Sequence, residues 1–527
     1  MSETHPGSSP SAPEYRKRKR SRASILITIA IVAVVAVVAA IVFSLLNRDT
    51  KADGGGEGAA GSEISIGLVL EPTNLDIRST GGVALDQILI DNVYQGLVGL
   101  APGTLDELVP VLAQDLPEVS EDGLSYTFAL REGVRFHSGN ALTAADVVDS
   151  LSATLPGVLG DDAVSVSAPD DGTVEIVLGS PNSQLLWHLA NRPGLVFESA
   201  YAGDLANTVN GTGPYLLAQW KQGDSITFEA DAGYWGEAPG LDRVVWRYLP
   251  DANAAVNAAL EGDVDVLAPV LDSSLKARFD GDSGFVLEQA DSTDVFTLAY
   301  NSAKPPLDDV RVRTALSLAI DGEAIVQAFY GDGKVLGGPI TDIEPAYEDL
   351  TSINAYDPEG ARALLAEAGV EGLQLTVTFP NIYPTNAIDQ VVTQLAEVGV
   401  TLKVDVVEPA TWFQRVYEAP EDGTARAFDL SYINHVEAND FVNYVTDGYY
   451  FGSVDPEAKR LYDESIAATD PAEAVERLRE AARVVAEDAP AKWLINYTPT
   501  NAVGAHVHGF PSSNTNSRIP LAGITVG

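Results

Sequence analysis

Two imidazoles flank Val507, at His506 and His508, and alternation along a strand would put both on one face, half of a metal site. The chain has no cysteine, and no third ligand stands near them, so surface histidines are the simpler reading. His435 with Glu437 makes a second such pair. Carboxylates are too common in this chain, 75 Asp and Glu in all, for an adjacent pair to signal acid–base catalysis. The run Gly331-Asp332-Gly333-Lys334-Val335-Leu336-Gly337 is glycine-rich, but it lacks the dinucleotide spacing and follows a helix pattern, so it is expected to be a turn. A nucleophile elbow, a zinc-protease helix and a phosphate loop are all missing. The reading is therefore a protein that is not an enzyme, with no cofactor and no metal.

The charge narrows the partners. A net charge of −43 repels nucleic acid and anionic headgroups and favours solubility, so binding to DNA or RNA is not expected. The alternative is that the acidity is a solvation device that says little about a ligand.

The first sixty residues are organised differently from the rest. Residues 1–23 form a Ser/Pro/Gly-rich tail ending in the basic run Arg16-Lys17-Arg18-Lys19-Arg20 and Arg22, and are expected to be cytoplasmic. Residues 24–46 contain no charge. At about 1.5 Å of rise per residue, such a run matches the roughly 30 Å hydrocarbon core of a bilayer as one transmembrane helix. Residues 47–62 read as a Gly-rich linker. A cleaved signal peptide is the alternative, with cleavage near Ala39-Ala40 or in the later Gly/Ala stretch; the length of the run and the bulky residues Ile41 to Leu46 favour retention. The chain is then anchored in the cell membrane by a single pass, with residues 63–527 outside. Those residues are more than one core usually supports, so two or three subdomains are expected.

Whatever chemistry the external part performs must be positioned by interleaved strands and helices, an α/β architecture. Alternating apolar residues predict strands at Glu63 to Leu70, Leu124 to Leu130 and Thr173 to Leu178. Thr143 with Asp146 is a capping pair, and Asp357-Pro358 and Asp470-Pro471 each place a cap before a first-turn proline. The last of these opens an apolar stripe through Val475, Leu478, Ala482 and Val485, which stops by Pro490. Asp308 is expected to cap a helix whose Val312, Leu316 and Ile320 face a core.

Several blocks carry a resemblance. They are Asn92-Val93-Tyr94-Gln95-Gly96-Leu97-Val98; Asp122 through Phe128, Leu130 through His137 and on to Asp146-Val147-Val148; and Gly211-Thr212-Gly213-Pro214-Tyr215. Tyr234-Trp235, Leu249 through Asn253, Gly262 through Asp265, Tyr300-Asn301, Pro305 through Arg313 and Ala319-Ile320-Asp321 follow in order. Together they resemble the extracytoplasmic solute-binding proteins of ABC transporters, family 5, the group that takes peptides, nickel complexes and related solutes. Most of these blocks read as scaffold, including Arg135, Phe136 and His137.

The resemblance implies a two-lobed, three-domain clamp of the periplasmic-binding-protein type II-like kind, preceded by the transmembrane helix. Lobe I would take 63–92, 211–300 and 493–527, an inserted domain II 93–210, and lobe III 301–492. The function implied is capture of a peptide or peptide-like solute outside the membrane and delivery to an ABC permease with its ATPase subunits, by a monomer. A membrane-anchored receptor or sensor on the same fold, or binding of a non-peptide solute such as a metal chelate, is the alternative. By similarity, Pro72 and Thr73 would edge the cleft, Thr297 would lie on a cleft strand, and Tyr383, Trp412 and Trp493 would supply walls. The segment containing Tyr432, Asn434, His435 and Glu437 would meet the solute. In oligopeptide-binding relatives a carboxylate stands where Asn434 falls and pairs with the peptide's amino terminus, so the solute is expected to differ from a free peptide unless Glu437 or Asp440 substitutes.

Overall fold

The computed structural model describes residues 62–104, 107–160, 164–420, 426–436, 438–511, 513–514 and 518–527. The basic tail, the apolar run 24–46, the linker up to residue 61, and Glu437 lie outside the described residues. Among the described residues no helix is long and apolar enough to cross a membrane.

Three sheets organise the chain. The first has seven strands in the order Phe285–Gln289, Thr500–Gly504, Val266–Leu267, Glu63–Leu68, Arg243–Tyr248, Ser225–Ala230, Tyr215–Lys221. The alternation that predicted the opening strand is the alternation that buries it: Ile64, Ile66 and Leu68 face a core with Phe228, Trp246 and Tyr215. Trp246 and Phe228 meet edge to face at 6.0 Å.

Between its first and second passes through that sheet the chain builds a four-stranded antiparallel sheet, in the order Glu118–Val119, Ser125–Ala129, Thr173–Leu178, Val164–Asp170. Helix Ala144–Leu159 covers it with Val147, Leu151 and Leu155. Its start is the capping box read from the sequence: Asp146 N–H donates to the Thr143 hydroxyl at 3.3 Å, and Thr143 N–H donates back to Asp146 Oδ2 at 2.9 Å. The chain returns to the first sheet through Gly211 and Gly213, which press so closely on the backbone at Asn92 and Val93 that a Cβ at either would lie within 2.5 Å of a carbonyl oxygen. His137 is fixed at this return, Nδ1 accepting from Gly211 N–H at 3.3 Å and Nε2 donating to the Gly213 carbonyl at 2.9 Å. It is scaffold, as expected.

The second large sheet has six strands: Gly333–Lys334, Ala491–Tyr497, Val295–Tyr300, Leu430–His435, Gln374–Pro380, Thr401–Val407. Strands Val295–Tyr300 and Ala491–Tyr497 pair side by side within it. The divisions drawn at 300/301 and 492/493 therefore cut behind one of these strands and through the other. The chain passes between the large sheets twice, at 290–294 and at 498–499, and the two crossings are laced together. Ala290 N–H donates to Pro499 O at 2.8 Å, the Ser292 hydroxyl to Tyr497 O at 2.6 Å, and Asn496 Nδ2 to Ser292 O at 2.9 Å.

Beside the crossings, Asp332 clasps one large-sheet region to the other. Its carboxylate accepts from Lys276 Nζ at 2.6 Å, from the Thr500 hydroxyl at 2.8 Å and from the Ser273 hydroxyl, and it is 1% exposed. The segment expected to be a simple turn thus contains a cross-sheet clasp and the edge strand Gly333–Lys334. One cap also moves by a residue. Asp309 caps helix Val310–Leu318, its carboxylate accepting from Arg311 N–H at 2.9 Å, while Val312, Leu316 and Ile320 face the core as read.

Candidate functional site

Alternation along the central strands of the second large sheet divides its side chains between two faces. Phe296, Leu298 and Tyr300 enter one core with Tyr432; Val295, Ala299 and Trp493 enter the other with Trp412. The expected site residues fall on both. Phe296 stacks on Tyr432 at 5.3 Å and meets Tyr383 edge to face at 5.5 Å. Asn434 shares that parity, and its Nδ2 donates to Asp294 Oδ2 at 3.1 Å. The Tyr432 hydroxyl and Asn434 Oδ1 are buried with no partner among the described residues.

Thr297, Trp412, His435 and Trp493 lie on the opposite face, where their polar atoms are spent internally. Trp412 Nε1 donates to Ser431 Oγ at 2.9 Å, and Trp493 Nε1 to the Tyr444 hydroxyl at 2.8 Å. His435 Nδ1 donates to Asp440 Oδ2 at 2.8 Å, which leaves Nε2 to accept the Tyr450 hydroxyl at 2.7 Å. Both ring nitrogens are thereby engaged within the protein. No group of three metal-ligating side chains occurs among the described residues. Pro72 is buried and Thr73 exposed, in a loop that neighbouring Glu71 ties to Trp220 Nε1 at 2.8 Å, within the first sheet's own region.

A cavity of about 650 Å³ lies where the four-stranded sheet's region meets the second large sheet's region. One wall carries Tyr126, Asn182, Gln184 and Trp187; the other carries Glu344, Asn439, Phe441 and Tyr462. The two regions touch at its edge, Ser183 N–H donating to Ile466 O at 2.9 Å and the Ser183 hydroxyl to Ser465 O at 3.0 Å. Most of the remaining lining is aliphatic, proline or alanine. Phe441 and Tyr462 stack at 5.6 Å, and Phe441 also contacts Tyr444 at 6.1 Å, joining the cavity to the aromatic layer behind it.

Glu344 is the charged group held most firmly in this wall. Its Oε2 accepts from Thr341 N–H at 2.8 Å and from the Thr341 hydroxyl at 2.9 Å, and its Oε1 accepts from Asn439 N–H at 3.2 Å. Burial pushes its carboxyl above the usual carboxylate range; the Thr341 hydrogen bonds oppose that shift, and nearby Asp440 adds to it.

None of the described site residues expected from the sequence lines this cavity; the segment flagged around 432–437 reaches it only through its continuation, Ala438 and Asn439. Glu344 was missed, yet it had a signal. Thr341-x-x-Glu344 is the capping-box pattern, here closed on itself as a turn before Pro345 with no helix after it. Trp187 and Tyr462 gave no signal beyond residue type, because their exposure to a shared space depends on how two regions dock.

Comparison with known proteins agrees with the architecture. Residues 107–457 match the family described as bacterial extracellular solute-binding proteins, family 5. The dipeptide-binding protein of Escherichia coli (strain K12) is 32% identical over 381 residues, covering 64% of this chain and 70% of that protein. Heme-binding protein A of Haemophilus influenzae is 29% identical over 458 residues, 76% of this chain and 81% of that protein. Among solved structures, the dipeptide-binding protein from Pseudoalteromonas sp. SM9913 in complex with Met-Leu superposes with a TM-score of 0.76 over 88% of this chain and all of that one, at 22% identity, a likeness of fold. With two thirds of its length matched by the family pattern, the chain belongs to the family 5 bacterial extracellular solute-binding proteins.

Proposed function

We propose that this chain captures a peptide or peptide-like solute outside the cytoplasm and delivers it to an ABC permease, holding the solute in the cavity between the four-stranded and second large sheets. The observation that carries this reading is the cavity itself: largely apolar walls with a few fixed polar groups, drawn from two regions of the fold. The name of one relative supports the solute class, the dipeptide-binding protein of Escherichia coli. The two laced crossings at 290–294 and 498–499 are placed as hinges are, a few terminal residues between packed bodies, so that the lobes close on solute by rotation there. The apolar run 24–46 with its basic flank supports a membrane tether for the domain.

Native mass spectrometry of the protein isolated from membranes tests both parts. The expected result is the full-length mass carrying a non-covalent peptide-sized adduct that is lost on unfolding. A mature N-terminus beyond Leu46 removes the tether; a retained solute with no amide bonds removes the peptide class.

A further inference from the structure

The electrostatics of the cavity are one-sided. Among its described lining residues there are two carboxylates, Glu344 and Glu121, and no Lys, Arg or His. The basic side chains around the Glu344 turn are already engaged. Arg483 bonds Glu348 at 2.7 Å, Arg479 bonds Glu476 at 2.6 Å, and Lys334 bonds Asp342 at 2.8 Å and Asp291 at 3.0 Å. A solute carboxylate entering this space would give up its hydration without gaining a cation, and would face Glu344 as a like charge. A solute ammonium would meet the opposite situation.

Glu344 is prepared for such a partner. An ionised carboxylate offers roughly four acceptor positions, and the three hydrogen bonds from Thr341 and Asn439 leave room for a further donor without moving the group. Because those bonds already fix its orientation, little side-chain entropy remains to be lost on binding. The stacked pair Phe441 and Tyr462, with Trp187 on the opposite wall, offers ring surface for an apolar body next to the charge.

We propose that the cavity selects solutes that combine an amino group with an apolar body and lack a free carboxylate, such as peptides blocked at the C-terminus, with Glu344 as the residue that sets this preference. The inference rests on the reading that the cavity is where the solute sits.

Three probes separate the terms: Leu-Leu amide, Leu-Leu free acid, and N-acetyl-Leu-Leu amide, titrated calorimetrically against the full-length protein. The amide is expected to bind at least about tenfold more tightly than either of the others, the scale set by one charge-assisted hydrogen bond. Glu344→Gln is expected to remove most of the amide's advantage over the acetylated probe. Glutamine keeps an oxygen that can accept the Thr341 bonds, and the variant's ligand-free melting temperature shows that the turn survives. Equal affinity for the amide and the free acid would overturn the inference, as would an undiminished preference in Glu344→Gln. Binding of none of the three would overturn the peptide reading beneath it.

Discussion

Burial and two glycine backbones hold the His137 ring in its neutral form. Desolvation pushes its pKa below the ordinary 6.5, and the Gly213 carbonyl opposes this only in part. A histidine whose folded pKa is depressed lends its full stabilisation above the unfolded value and loses it as pH falls below about 6.5. His137→Gln is therefore expected to be less stable than the parent at pH 7.5, with the gap narrowing by pH 5, as measured by urea unfolding at both. A gap independent of pH would contradict the buried neutral ring. The same scale shows what residue type leaves out. Trp412, Trp493 and His435 look like ligand contacts, yet their N–H groups are spent on Ser431, Tyr444 and Asp440. Parity along strands 295–300 and 430–435 was readable and separates Thr297 and His435 from Tyr432 and Asn434. Which face borders open space was not readable, because that depends on where the four-stranded sheet docks.

Helices and strands were the most legible level, for local reasons. Proline at the first turn after aspartate fixes a helix start from within four residues, and Asp357 and Asp470 both cap as read, with Gly360 N–H donating to Asp357 at 2.9 Å and Ala472 N–H to Asp470 at 3.0 Å. The choice between Asp308 and Asp309 was less determined, since adjacent aspartates offer the same side chain and only the turn geometry selects one. The Asp332 clasp was not legible at all. Its partners Ser273, Lys276 and Thr500 are far away in sequence, and a glycine on either side makes the segment read as a loop. Removing this carboxylate strips hydrogen bonds from a buried junction between elements. Asp332→Ala is expected to cost about 1.5–3 kcal/mol, the usual range for a charged hydrogen-bonded group, seen as a lower urea midpoint with unchanged solute stoichiometry. Stability equal to the parent's would mean that the clasp contributes nothing to holding the large sheets together.

At the scale of the molecule, the clamp was legible only through the family resemblance that the ordered blocks carry; most of those blocks are scaffold, although Gly123 and Tyr126 line the cavity. The places where the chain crosses between lobes were set one strand off, since strands 295–300 and 491–497 are apolar enough to suit either sheet and only pairing decides. The solute space is the least legible feature, being made by the meeting of separately coded regions. The central claim is that a peptide-like solute sits in that space. Photo-crosslinking of full-length protein with a diazirine-bearing Leu-Leu amide, followed by peptide mapping, locates it directly. Label on the segments around Trp187, Glu344, Asn439 and Tyr462 is the result expected; label concentrated at Thr73 and Tyr383 would place the solute elsewhere and contradict the account.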